Sequence, residues 1–214
     1  MKGFVKIVVV SLTCSMITAL TAEAVSLVGT RKEAGGVRFT RQVKGVRGGQ
    51  PYESIPGGYP TQLRGDDGKL LNGGKWVMAF CVEPGRAAHS GKDGELRINT
   101  IPLEKKPGGL QAAWLMDNFY HSTMSKAQFA ALQIAIWEVI TDSSGDYDLS
   151  SGDFKIWGGE QKILDIAYSY LLSVPKRFDT EYLNHYYWMM DHPSKQDFLI
   201  QRCGGCCKSP GYAE

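Results

Sequence analysis

Trp76-Val77-Met78-Ala79-Phe80-Cys81-Val82 is apolar at every position and halts at Pro84-Gly85, the pattern of a β-strand covered on both faces. Alternation puts Trp76, Met78, Phe80 and Val82 on one face and the small side chains Val77, Ala79 and Cys81 on the other. Something bulky can therefore approach Cys81 closely. Upstream, β-prone pieces such as Val25 to Val28 and Val37 to Val43 alternate with punctuation at Gly35-Gly36, Gly48-Gly49, Pro56-Gly57-Gly58 and Gly73-Gly74. This half reads as strands. Its basic part, with Arg31, Lys32, Arg38, Arg41, Lys44 and Arg47 against Glu33 alone, is accounted for by charge guarding an exposed strand face or edge.

Downstream the texture changes at Gly109. Leu110 to Tyr120 reads as a first helix, and Lys126 to Thr141 as a second whose start is marked by the S-x-x-Q capping box of Ser125 and Gln128, with Met124 and Phe129 at the staple positions. A third run, Gln161 to Val174, repeats apolar residues at Ile163, Ile166, Ala167, Tyr170 and Val174 and ends before Pro175. Strands followed by helices predict an α+β fold: an N-terminal β-sandwich or barrel-like core with a C-terminal helical subdomain packed on it.

The whole chain has 214 residues, with 24 Lys plus Arg against 22 Asp plus Glu and 43% hydrophobic residues. That balance excludes a disordered tail and gives no footing for nucleic-acid binding. Lys2 and Lys6, the apolar run from Ile7 to Leu20 and the small-x-small site Ala22-Glu23-Ala24 form a secretory signal over residues 1–24. The run is interrupted by Ser11, Thr13, Ser15 and Thr18 and falls short of the ~20 residues that span a bilayer, so no stable membrane insertion is expected. The mature protein, a domain over residues 25–200 and a flexible tail over 201–214, is expected to be secreted into an oxidising compartment. Of its cysteines, Cys81 stands alone and Cys203, Cys206 and Cys207 crowd the tail. Three tail thiols with no nearby His make disulfides, within the chain or to a partner chain, a better reading than zinc.

On the second helix Gln133 shares its face with Phe129, Ile136, Trp137 and Ile140. A primary amide in an apolar stripe costs about 1–3 kcal/mol if it is buried without partners. Either backbone from a neighbouring element satisfies it, or it is covalently bonded.

Phe80-Cys81-Val82, followed after a gap by Leu132-Gln133-Ile134-Ala135-Ile136-Trp137, resembles the bipartite signature of the bacterial surface thioester domains. Ala112-Ala113-Trp114-Leu115 and the stretch Tyr147 to Phe154 are similar to exported Gram-negative and cyanobacterial relatives, and the likeness runs from residue 70 or so to residue 175. It implies a bond between the Cys81 sulfur and the Gln133 side-chain carbonyl, formed with loss of ammonia, that an amine on a target can open to leave an amide. It further implies a secreted, adhesin-like module rather than a turnover enzyme, with a surface protein or other amine-bearing molecule as partner and no cofactor or metal. Phe80, Ile136 and Trp137 would shape the apolar surroundings. His121, between the first helix and Ser125, is the candidate for proton transfer. The resemblance stops before the C-terminus, where Cys203-Gly204-Gly205-Cys206-Cys207 precedes a short polar tail.

Three other readings rank lower. Asp146, Asp148 and Ser150 alternate as in a calcium loop, but Ser151 and Trp157 stand where Gly and Glu are needed, so Asx-type turns are preferred. A cysteine hydrolase would pair Cys81 with His89, His121, His185 or His192, yet Cys81 lies late in a strand and not at a helix N-terminus. A non-covalent extracellular module for carbohydrate or protein could use Tyr182, Tyr186, Tyr187 and Trp188, with Cys81 structural; the same cluster could equally close the core.

Overall fold

The computed structural model describes residues 24–28, 43–47, 49–54, 56–86 and 96–202. The leader up to residue 23, the piece Val37 to Val43 apart from its last residue, the segment holding His89, and the tail with Cys203, Cys206 and Cys207 lie outside the described residues.

Helices and antiparallel sheets combine in an α+β fold. Six strands close a barrel in the order β1 (Ala24–Val28), β4 (Gly58–Arg64), β5 (Val77–Cys81), β9 (Phe198–Gln201), β8 (Tyr187–Asp191) and β6 (Leu96–Ile101), with β6 pairing back onto β1. Every pairing around it is antiparallel. A second sheet sets β2 (Val43–Arg47) between β3 (Gln50–Ser54) and β7 (Phe154–Trp157). The simple order of strands first and helices last needs correction, because β7 falls between the second and third helices and β8 and β9, which complete the barrel, come after all of them. Their pairings join residues distant in sequence, such as Phe80 with Leu199, which local pattern does not reveal.

The apolar strand β5 is central, as its two-faced apolar pattern predicts. Val77, Ala79, Phe80 and Cys81 are buried between neighbours β4 and β9, while Trp76 lies just outside the strand and is 42% exposed. The helices follow their signals. Gly109–Phe119 forms α1, Lys126–Thr141 forms α2 and Gln161–Leu172 forms α3, and a short α4, Thr180–Tyr186, leads into β8. The capping box is present in full: Gln128 N–H donates to Ser125 Oγ and Ser125 N–H donates to Gln128 Oε1 at 2.9 Å.

Burial of α2 is more complete than an amphipathic stripe predicts, since every residue from Phe129 to Ile140 is buried. It runs through the middle of the molecule against α1, α3, β5 and β7. Two glycines permit this packing. At Gly108, which has φ +69° just before α1, a Cβ would collide with the Val139 carbonyl. At Gly58 a Cβ would stand 2.6 Å from both the Met78 sulfur and Phe129 Cζ, so the missing side chain lets α2 lie close on the barrel wall.

Candidate functional site

In an antiparallel ladder the N–H and C=O of one residue point to the same neighbour. At Val82 that neighbour is β9, for Val82 N–H donates to the Asp197 carbonyl at 3.2 Å. Cys81, one residue earlier, must therefore turn both groups toward β4. The β4 register runs Tyr59↔Ala79 and Gly58↔Phe80 and then stops, which leaves Cys81 facing the end of its partner strand. Gln133 fills the gap. Cys81 N–H donates to Gln133 Oε1 at 3.1 Å, and Gln133 Nε2 donates to the Cys81 carbonyl at 2.6 Å. The side-chain amide stands in for a peptide unit of the absent strand residue.

Both groups are shielded from water: Gln133 is 0% and Cys81 5% exposed. On the helix-facing side of β5, Phe80 stacks on Phe129 with ring centroids 5.0 Å apart and meets Tyr120 edge-on at 5.6 Å. Ile136 is fully buried, and Trp137 is buried with Phe154 of the second sheet 6.4 Å away. Phe80, Ile136 and Trp137 are thus all part of the buried apolar interior. The Cys81 side chain belongs to the opposite face of β5, together with Ala79 and, across the ladder, Tyr59.

There the buried free thiol has its pKa pushed up to about 12. Desolvation is the main cause; a hydrogen bond with the Tyr59 side chain opposes it, and the Glu83 carboxylate adds to it. A thiol in this setting is protonated at neutral pH. Any attack by sulfur therefore needs its proton removed as the bond forms, and Tyr59 is the protic side chain in contact. His121 does not take that place: it is exposed on the turn between α1 and α2, its Nδ1 3.1 Å from Thr123 Oγ1.

Sequence reasoning missed Tyr59 because only the β4–β5 register brings it to the sulfur. It also missed the charged cluster beyond Val82, where Glu83 and Asp197 are 7% and 2% exposed. A carboxylate directly after an apolar strand was the one local signal.

The remaining candidates fall into structural roles. Asp148 accepts from Ser150 N–H, Ser150 Oγ and Ser151 Oγ at 2.7–3.0 Å, an Asx turn of the expected kind, and these hydrogen bonds lower its pKa. Asp142 accepts from the Asp153 and Phe154 N–H groups, both at 2.9 Å. Tyr187 is 2% exposed and donates to Asp117 at 2.7 Å, Tyr182 donates to the same carboxylate at 3.2 Å, and Arg202 lies over the Trp188 ring at 4.5 Å. That aromatic run is tied into the join between α1, α4 and β8, with Tyr187 buried and Tyr182, Tyr186 and Trp188 half-buried.

Glu138, on α2, is a buried carboxyl with a measurable signature. Oε1 accepts from Asp148 N–H at 2.8 Å, whereas Oε2 has no hydrogen-bond partner. Desolvation, reinforced by the charges of Asp142 and Asp148, pushes its pKa from an ordinary 4.5 to about 8. Between those values the folded chain holds a proton that the unfolded chain has lost, so stability is greatest below about 4.5 and falls as pH rises toward about 8. Glu138→Gln keeps the acceptor for Asp148 and abolishes the ionisation. Thermal melts are expected to give it the higher Tm at pH 8 to 9 and a wild-type Tm near pH 5, and a wild-type melting profile flat across that range would contradict the assignment.

Comparison of the chain with family models, with curated proteins and with solved structures finds no match.

Proposed function

We propose that Cys81 and Gln133 condense to an internal thioester and that the protein is a secreted, adhesin-like module which bonds covalently to amines on a target surface. One observation carries this reading: the Gln133 carboxamide is fixed at Cys81 by the two hydrogen bonds of 3.1 and 2.6 Å. In condensation the Sγ–Cδ bond forms, the Cδ–Nε2 bond breaks, and ammonia departs with the thiol proton. The Cys81 N–H already donates to Oε1, the oxygen on which negative charge grows when a nucleophile adds to Cδ, so the transition state meets a donor that needs no rearrangement. Holding the carboxamide at the backbone of the residue that bears the sulfur supplies part of the remaining advantage over a reaction in solution.

The acyl group so formed is activated, because a thiolate leaves more readily than an amide nitrogen. An amine adding to Cδ expels the Cys81 sulfur and ends as a stable amide. Burial keeps water away in the meantime, and it favours slim nucleophiles. Methylamine is therefore the probe of choice: it should be found attached at residue 133 by peptide mapping, with the Cys81 thiol newly titratable. Absence of label at 133, with Cys81 already titratable before treatment, would leave Gln133 as a structural cap of the strand edge and favour a non-covalent binding module.

In this proposal the helices form the subdomain that presents the acyl donor to the barrel carrying the thiol. A surface protein is the natural partner class, and the thiols of Cys203, Cys206 and Cys207 would link the module to another chain. Tyr59 relays the proton from sulfur toward the leaving nitrogen. Tyr59→Phe should slow ammonia loss at least about a hundredfold, the low end for general acid–base catalysis. The check is a time course of intact mass after refolding, and an unchanged rate would remove Tyr59 from the mechanism.

A further inference from the structure

Beyond Cys81, three elements converge on a second pair of groups able to condense. Lys106 follows the short 3-10 turn Leu103–Lys105 and Asp197 immediately precedes β9; Lys106 Nζ lies 2.6 Å from Asp197 Oδ2. The lysine side chain is 18% and the aspartate side chain 2% exposed. Asp197 Oδ1 accepts the His192 N–H at 2.8 Å. Glu83, with its side chain 8% exposed, places Oε1 3.9 Å from the lysine nitrogen and accepts the Asp197 N–H through Oε2 at 3.4 Å. Its carboxylate is also held by Arg86 at 2.7 Å and Arg47 at 3.6 Å, and Arg86 donates onward to the Pro193 carbonyl at 3.3 Å.

We propose that Lys106 and Asp197 join in an intramolecular amide, with Glu83 as the proton carrier. The parts match the needs of the step. The amine touches the carboxyl group it must attack. The His192 N–H already donates to the oxygen that becomes the oxyanion. Glu83 takes a proton from the ammonium and returns it to the departing oxygen. Nζ bonds to Cγ, the Cγ–Oδ2 bond breaks, and Oδ2 leaves as water with two of the three ammonium hydrogens, so an ammonium and a carboxylate become an amide and water with no outside reagent. Condensation also removes two charges that are costly to keep out of water. Glu83 retains Arg86 and Arg47 afterwards, so no carboxylate is stranded.

The cross-link would tie the approach to α1 to the start of β9, whose first residue, Phe198, pairs with Cys81. Its chemistry is nevertheless independent of the Cys81–Gln133 pair, and mass spectrometry separates the two. The thioester loses ammonia and reacts with methylamine; the amide loses water and does not. The test is peptide mapping of the full-length wild-type protein after complete denaturation and methylamine treatment. A branched peptide joining the Lys106 and Asp197 segments is expected, along with a Lys106 amine inert to acylating reagents. Recovery of both segments as linear peptides would overturn the proposal, as would loss of water with Lys106 still linear, the mark of a succinimide at Asp197. Lys106→Arg retains the cation and should give linear peptides only. Glu83→Gln should leave most chains uncrosslinked, and full cross-linking in that variant would overturn the role given to Glu83.

Discussion

Freshly purified wild-type protein is expected to be lighter by one ammonia than its sequence requires, apart from any loss of water at Lys106 and Asp197, and Cys81→Ala should abolish both that ammonia deficit and every trace of methylamine at residue 133. The effect is all-or-none, because Gln133 has no other means of activation. An unactivated primary amide does not exchange with methylamine at neutral pH on a laboratory timescale, and the Cys81 N–H that survives in the variant polarises the carbonyl without supplying a leaving group. Cys81→Ser sharpens the comparison. A hydroxyl in the same position keeps the geometry but is a weaker nucleophile, so neither ammonia loss nor amine uptake is expected. For wild-type protein the pH dependence follows from the thiol. With its pKa pushed up to about 12 by burial, the thiol stays protonated across the neutral and mildly alkaline range and passes its proton through Tyr59 to the leaving nitrogen, so thioester formation after refolding should vary little with pH between 7 and 9. A rate rising about tenfold per pH unit between 7 and 9 would mean that free thiolate attacks and that the Tyr59 relay is not used. Methylamine appearing at residue 133 in Cys81→Ala would mean that another nucleophile activates the carbonyl, and the Cys81 assignment would fall.

The parts of this site differ in how visible they are along the chain. Gln133 announces itself, since an amide amid Phe129, Ile136, Trp137 and Ile140 conflicts with its own stripe, and the helix bearing it is framed by a capping box that fixes its first turn to the residue. Cys81 is equally plain on an all-apolar strand. What joins them is not local. Gln133 reaches Cys81 because β4 ends one residue too soon to satisfy it, and that shortfall follows from a register between β4 and β5 that no single segment encodes. Tyr59 is hidden for the same reason. The barrel is hidden for a further one: Tyr187–Asp191 and Phe198–Gln201 are only five and four residues long, and Tyr-Tyr-Trp-Met-Met suits a buried helix as well as a strand. In the structure Tyr186 ends the helix and Tyr187 begins the strand. Long, capped, periodic elements were legible, and short strands that depend on distant partners were not.

Removing the amide and removing the sulfur should have different consequences for folding, and the difference tests whether Gln133 is structural as well as chemical. Gln133→Ala strands the Cys81 N–H and C=O, both buried, at about 1–3 kcal/mol for each unsatisfied group, and opens a cavity beneath α2. A loss of about 3–5 kcal/mol is expected. Cys81→Ala leaves the backbone untouched, so both hydrogen bonds to Gln133 persist, and only a small buried side chain is lost, at about 1 kcal/mol. A wild-type thioester complicates the comparison in a calculable way. It closes a loop between positions 52 residues apart, which in the chain-entropy view is worth about 4 kcal/mol, while the departure of Nε2 removes the donor to the Cys81 carbonyl and returns part of that gain. The proper reference is therefore wild-type protein opened with methylamine, in which the cross-link is gone. Urea denaturation should place Cys81→Ala within about 1 kcal/mol of that reference and Gln133→Ala well below both. If the two variants are equally unstable, the amide is not what holds the edge of β5, and the geometry on which the chemistry rests loses its physical basis.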